Sequence, residues 1–235
     1  MEIKIDLCTG CGQCIIVCPV QAINLIENKA IIDKNLCVEC AVCLRDAECP
    51  VNAIRLTRLK WPRIIRSPLS NVITPHKITG IPGRGTEEMK TNDVTNRFNI
   101  DQIGVSIELG RPGMGTHLRN IELFTIRLAK IGVEFEEQNP VSAIIIDGEG
   151  HIKENIKDEF VLSAFIEFKI SKEKLNQVLK IIREVELEID TVFTVGLISR
   201  VTENNINHLD KVLSQQGFEI RPNAKVNIGF GKIWK

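Results

Sequence analysis

The clearest hydrophobic rhythm lies in the C-terminal part of the chain. Ile103 to Leu109 alternates apolar and polar positions, with Val105, Ile107 and Leu109 on one side, as a half-buried strand does. Gly110-Arg111-Pro112-Gly113-Met114-Gly115 then turns the chain. Thr116 is placed to cap a helix in which Leu118, Ile121, Phe124, Leu128 and Ile131 form one apolar stripe ended by Gly132. Val133 to Phe135 and Val141 to Asp147 read as strands, and Phe160 to Ile170 as a longer one. A helix opening at Ser171 carries Leu175, Val178, Leu179, Ile182 and Val185 inward. Thr191 to Ser199 reads as strand, Asn205 to Gln216 as a helix with Ile206, Leu209, Val212 and Leu213 on its inner face, and Ala224 to Phe230 as a closing strand.

The predicted order is β-α-β-β-α-β-α-β. Its first six elements fit a split βαβ sandwich, with helices on one face of an antiparallel sheet and an αβ extension, so the fold class is α+β. The two halves echo one another: Val105-Ser106-Ile107-Glu108-Leu109 and Ala164-Phe165-Ile166-Glu167-Phe168 each run into a helix. This order is similar to that of ACT-like regulatory domains. The resemblance implies a binding role toward a small effector or a partner, and pairing through sheets into a homodimer.

The first sixty residues lack this rhythm and lack any aromatic side chain. Ala22 to Ile26 and Ala53 to Leu56 suit short strands, and Asn28-Lys29 suits a hairpin turn. Between the two regions, Thr57 to Thr86 holds six Lys or Arg, no Asp or Glu, and Pro62, Pro68, Pro75 and Pro82. That proline density predicts an extended, irregular path without helix. Such a stretch is either a solvated linker or an ordered loop offering cations to an anion or acidic partner; Ile64-Ile65, Val72-Ile73 and Ile78 argue for packing. The expected organisation is therefore a unit over 1–57, a basic connector over 58–99 and an α+β domain over 100–235.

Lys plus Arg and Asp plus Glu balance at 30 each in 235 residues, which leaves no basic footprint for nucleic acid. No apolar run approaches the roughly 20 residues of a membrane span. What changes the picture is cysteine. All eight lie in the first forty-nine residues, as Cys8-x2-Cys11-x2-Cys14-x3-Cys18-Pro19 and Cys37-x2-Cys40-x2-Cys43-x5-Cys49-Pro50. The blocks repeat one another, since Cys18-Pro19-Val20-Gln21-Ala22-Ile23 recurs as Cys49-Pro50-Val51-Asn52-Ala53-Ile54. Disulfides need an oxidising compartment, and the N-terminal residues show no charged-then-apolar signal segment, so a reducing cytoplasm is expected. Zinc takes four ligands at a point and does not explain a third cysteine at this spacing with Cys-Pro after it.

These blocks resemble the bacterial-type ferredoxins with two [4Fe–4S] clusters, over about a quarter of the chain. The resemblance implies that Cys8, Cys11, Cys14 and Cys49 hold one cluster, and Cys37, Cys40, Cys43 and Cys18 the other. With four thiolates and a charge of about −2 on each oxidised cluster, the loaded protein becomes acidic. The second block departs from the first by its longer final spacing, which places Leu44-Arg45-Asp46-Ala47-Glu48 as an excursion beside the first cluster.

Two glycine-rich stretches are further candidates. Gly83-Arg84-Gly85-Thr86 can form a turn or an anion cradle, and Gly110 to His117 joins a strand to a helix start where Arg111, Gly113, Gly115 and Thr116 can receive an anion or simply turn the chain. His76, His117, His151 and His208 show no ligand spacing, and no nucleophile elbow, HExxH or phosphate loop occurs. The function expected is low-potential electron transfer with a dedicated redox partner protein. The alternatives are a redox-linked small-molecule sensor, or an iron–sulfur enzyme with an anion site at the glycine loops.

Overall fold

A computed structural model describes residues 1–77, 80, 97–111, 113–200 and 208–220. The chain mixes helix and strand. In the N-terminal unit, β1 (Glu2–Ile3), the short helix α1 (Gln13–Ile16), β2 (Ile23–Ile26), β3 (Lys29–Ile32), α2 (Val42–Asp46) and β4 (Ile54–Arg55) follow in order. β1 pairs antiparallel with β4, and β2 with β3. The turn of that hairpin puts Glu27 and Asn28 at φ of 49° and 58°.

The basic connector is not free of helix. A 3-10 turn, Arg63–Ile65, leads into α3 (Arg66–Ser70), with Pro68 inside it. Proline is tolerated there because the first-turn amides of a helix have no intrahelical acceptor to lose. Leu69 is 1% exposed and belongs to the core of the C-terminal domain, so this segment is docked rather than solvated.

Then come β5 (Gln102–Leu109), β6 (Thr116–His117), α4 (Arg119–Lys130), β7 (Glu134–Phe135), β8 (Phe160–Val161), β9 (Ala164–Ser171), α5 (Leu175–Glu186), β10 (Phe193–Ser199) and α6 (His208–Gln215). One antiparallel sheet of four strands has the order β10-β5-β9-β7. Its register sets Ile107 between Val195 and Ile166. Alternation then places Ile103, Val105, Ile107 and Leu109 with Ala164, Ile166, Phe168 and Ile170 on one face. The apolar stripes of α4 (Ile121, Phe124, Leu128) and α5 (Val178, Leu179, Ile182, Val185) join those residues in one core. Burying each such side chain contributes about 1.5–3 kcal/mol.

Several local expectations are corrected. Val141 to Asp147 is not a strand: Asn139 Oδ1 accepts the Val141 amide at 2.7 Å, and Ser142–Ile144 coils as a 3-10 turn. Only the bridge of Ile145 to Ile152 remains. An Asn-Pro pair starts turns more readily than it continues strands. Phe160 to Ile170 is broken at Leu162-Ser163 into β8, which pairs with β6, and β9 in the main sheet. The Leu162 amide there donates to Ser70 Oγ of α3 at 2.9 Å. Thr116 does not cap α4; it lies in β6, and Leu118 is the N-cap. The strand expected at Ala224 to Phe230 and the turn around Arg84 lie outside the described residues.

Candidate functional site

The repeat seen in the cysteine spacing is also a repeat of backbone geometry. Gly10 and Glu39 stand between the first two cysteines of each block at φ of 74° and 58°. Gly12 and Ala41, each just after the second cysteine, are left-handed at 79° and 57° and begin α1 and α2. Gln21 and Asn52, three residues beyond Cys18 and Cys49, are left-handed at 52° and 48°. These reversals wind each C-x2-C-x2-C around a common space and turn the chain after Cys-Pro.

Two cavities result. The first is lined by Cys8, Cys11, Cys14 and Cys49 with Ile3, Ala30, Val51, Ala53 and Ile54. The second is lined by Cys18, Cys37, Cys40 and Cys43 with Met1, Val20, Ala22, Ile23 and Ile32. Each thus takes three cysteines from one block and the last from the other. Backbone amides point at sulfur: Ala22 to Cys18 at 3.2 Å and Ala53 to Cys49 at 3.3 Å, repeat-related, and Ala30 to Cys8 at 3.4 Å.

The thiols themselves are ill at ease. Burial pushes the Cys14, Cys37 and Cys40 thiols above their usual range, and Cys43, buried beside Cys40 and Cys37, is raised to about 12. Cys49 goes the other way. Burial opposes its ionisation, but the amides of Ala53, Val51, Ile54 and Asn52 outweigh that and hold it low. Four sulfurs converging on an aliphatic cavity, with amides aimed at some of them, are a donor set for a soft, thiolate-bound metal group. Cys11 is exposed, Cys18 and Cys49 are half-buried, and the other five are buried.

The second cavity is held by arginines that their local sequence offers to solvent or to an outside anion. Arg45 Nη1 donates to Cys40 O at 3.0 Å and to Asn71 Oδ1 at 2.9 Å. The five-residue excursion therefore lengthens α2 and braces the second cavity, where the spacing suggests the first. Arg63 reaches Lys34 O at 2.6 Å, Cys37 O at 3.1 Å and the buried Glu39 Oε1 at 2.8 Å. Arg66 Nη1 donates to Lys34, Asn35 and Cys37 carbonyls at 3.2, 3.0 and 2.9 Å, while its Nε meets Glu159 Oε2. At the first cavity, Lys29 Nζ donates to Cys8 O at 2.6 Å. Nothing local marks Arg66, whose partner lies 93 residues away; the aliphatics beside it are the only signal.

In and just beyond Gly110 to His117 several backbone donors are committed. Met114 and Gly115 donate to Gly110 O at 3.1 and 2.8 Å, Leu118 to Glu159 O at 3.0 Å, and Arg119 to Lys157 O at 2.9 Å. Arg111 lies 3.2 Å from Glu108, and Arg119 pairs with Asp158 and Asp190. Thr116 is buried, donating to His117 O and accepting from Asn120 Nδ2 at 3.2 Å. A Cβ placed on Gly113 would lie 3.5 Å from Pro19 O, so this loop runs beside the Cys18-Pro19 segment. Arg111 and Thr116 are thus each engaged by a partner within the protein. Arg84 lies outside the described residues.

Comparison with known proteins gives the N-terminal part its class. The model of the 4Fe-4S binding domain matches residues 1–24. Ferredoxin-1 of Caulobacter vibrioides is 40% identical over 52 residues, 21% of this chain and 44% of that protein. Pyruvate synthase subunit PorD of Methanothermobacter marburgensis is 38% identical over 55 residues, 23% of this chain and 62% of that protein. An H(2):CoB-CoM heterodisulfide,ferredoxin reductase subunit of Methanothermobacter thermautotrophicus is 35% identical over 68 residues, 21% of this chain and 10% of that protein. The chain thus spans less than two thirds of each of these relatives. No solved structure matches it. The N-terminal unit is a ferredoxin-like iron–sulfur domain of the electron-transfer kind.

Proposed function

We propose that the chain is an electron-transfer protein whose unit over 1–57 carries two [4Fe–4S] clusters. Cys8, Cys11, Cys14 and Cys49 hold one; Cys37, Cys40, Cys43 and Cys18 hold the other. The observation that carries this reading is the pair of cavities, each lined by one such tetrad. Sulfurs set round a space suit a polynuclear group better than a single zinc, which draws its ligands to about 2.3 Å.

When bound, the clusters supply one-electron chemistry at low potential. The chain's part is to hold and insulate. Ala22, Ala30 and Ala53 amides donate to sulfur and favour its anionic form. Ile3, Ile23, Ile32, Ile54, Val20 and Val51 keep water away. Exposed Cys11 is where electrons enter or leave.

Residues 58–99 serve as a connector and 100–235 as a split βαβ sandwich of ACT-like order, a reading supported by the sheet order β10-β5-β9-β7 with α4 and α5 on one face. This domain binds the redox partner protein or a small anionic effector, and its sheet can pair into a homodimer in the cytoplasm. The names of two relatives, each a subunit of a redox enzyme, support a dedicated partner. Among the described residues no helix is long and apolar enough to cross a membrane. Anaerobic reconstitution tests the reading: about eight irons and eight sulfides per chain are expected, four of each per tetrad. About four irons, or tightly held zinc instead, refutes it.

A further inference from the structure

The arginine at the start of α3 has two masters. Arg66 has a side chain 8% exposed, and Glu159 one 13% exposed. On one side the guanidinium holds the carbonyls of Lys34, Asn35 and Cys37, the last of which lines the second cavity. On the other it faces Glu159 of the C-terminal domain. A buried cation is costly unless compensated, so its position is fixed by both sets of acceptors. The other charged groups set against the second cavity, Arg45, Arg63, Glu39 and the Met1 ammonium that pairs with Glu39, come from the N-terminal unit and connector. The first cavity has Lys29 on Cys8 O, also from its own unit. Among these groups, only Glu159 belongs to the C-terminal domain.

Glu159 is tied into that domain's structure. Its carbonyl accepts Leu118 N at the start of α4, and its own amide donates to Ile156 O at 2.9 Å. The next residue, Phe160, pairs with His117 in the β6–β8 ribbon, where the two rings meet at a tilt of 49° with centroids 5.0 Å apart. A ligand or partner that shifts the start of α4 or this ribbon moves the Glu159 carboxylate, and with it the balance of charge felt at Cys37.

We propose that Arg66 is a positioning residue that couples the potential of the second cysteine tetrad to the state of the C-terminal domain through Glu159, leaving the first tetrad uncoupled. This rests on the two-cluster reading above. Reduction adds one electron at the tetrad's group, supplied in the test by dithionite, and no bond forms or breaks. The added negative charge is favoured by Arg66 and disfavoured by Glu159.

The two members of the pair therefore carry opposite signs, which a purely structural contact does not. The reconstituted full chain is titrated potentiometrically with electron paramagnetic resonance detection. Cys11→Ser marks the signal of the first tetrad by shifting it. Arg66→Gln is expected to lower the reduced-to-oxidised ratio of the other centre about tenfold at a fixed poise, equivalent to about 59 mV for one electron. Glu159→Gln is expected to raise the same centre by about threefold to tenfold, and Arg66→Lys to retain most of the wild-type value. The first centre should move by less than about twofold in each. Shifts of the same sign in both variants, equal shifts of both centres, or no shift in Glu159→Gln overturn the proposal. If Arg66→Gln fails to hold iron, the direction seen in Glu159→Gln decides. An iron count of about four in the wild type removes the two-cluster reading itself; about eight irons with same-sign shifts removes only the coupling.

Discussion

Gly10 and Gly12 share a backbone conformation, at φ of 74° and 79°, yet they should respond differently to a single added methyl. A Cβ on Gly10 would lie 2.2 Å from the carbonyl oxygen of Asn28 and 3.0 Å from its carbon, whereas a Cβ on Gly12 meets nothing within 4 Å. The Asn28 carbonyl belongs to the turn joining β2 and β3, itself left-handed, so it has little freedom to retreat. The left-handed conformation costs alanine about 1–2 kcal/mol at either site. Ala41, the counterpart of Gly12 in the second block, occupies that region at 57°, which puts Gly12→Ala at the low end, about 1 kcal/mol. At Gly10 overpacking adds about 1–3 kcal/mol, for a total of about 2–5 kcal/mol. Its own counterpart, Glu39, is left-handed with a full side chain, so φ alone does not forbid a Cβ there; the Asn28 carbonyl does.

The assay is guanidinium unfolding of the reconstituted variants under anaerobic conditions, with release of iron to a chelator as a second reading. Gly10→Ala should unfold at clearly lower denaturant and lose iron faster, and Gly12→Ala should stay within about 1 kcal/mol of the parent. Equal losses in the two would show that backbone strain dominates and that the close approach of Asn28 has no energetic weight.

Leu69→Ala should cost about 2–5 kcal/mol by opening the C-terminal core, while Ile73→Ala, at 62% exposure, should cost less than about 0.5 kcal/mol; equal melting temperatures for the two would refute the docking of the connector. Gly104 faces the Phe98 ring, 2.6 Å from a built Cβ. Gly104→Ala should therefore lose about 1–3 kcal/mol, part of it recovered when Phe98→Ala is added; strict additivity in the cycle would refute the contact. The metal-free protein should weaken in alkali. Burial raises Cys43 to about 12, so the unfolded chain releases that proton first. Its stabilising contribution is complete below the ordinary thiol range and lost as pH climbs from about 9 toward 12. Circular-dichroism melts against pH check this, and an unchanged slope in Cys43→Ser would refute the assignment.

How far the sequence can be read depends on the range of the interaction. Short-range periodicity marks β5, α4, α5 and β10 within a few residues, because apolar stripes need only neighbours three or four apart. Spacing within a block groups Cys8 with Cys11 and Cys14, and Cys37 with Cys40 and Cys43, whereas the exchange of Cys18 and Cys49 between blocks is implied only by the resemblance to two-cluster ferredoxins. Legibility fails where a distant partner overrides local preference. Asn139 captures the Val141 amide and turns a predicted strand into a 3-10 coil. The hydroxyl of Ser70, from the connector, accepts the Leu162 amide where β8 and β9 part. Pro68 argues against helix by its identity, but at a first turn it removes no hydrogen bond. Arg63 and Arg66 have the look of cations for an outside anion, and their acceptors are carbonyls and carboxylates already in the chain.

The two cysteine blocks are most alike where they wrap their cavities and least alike where the chain attaches to them. Left-handed residues, the Cys-Pro turns and the amides of Ala22 and Ala53 recur in both. The differences cluster elsewhere: Glu39 in place of Gly10, and a longer α2 that carries Arg45. Each departure makes a contact with the connector, Glu39 with Arg63 and Arg45 with Asn71. The second block thus has side chains that fasten it to the connector, and its cysteines Cys37, Cys40 and Cys43 are buried. The first block keeps small residues around Cys11, which stays exposed. On the proposed two-cluster reading, an electron reaches a partner most readily where a ligand meets solvent, which assigns exchange to the bare block and response to the C-terminal domain to the fastened one.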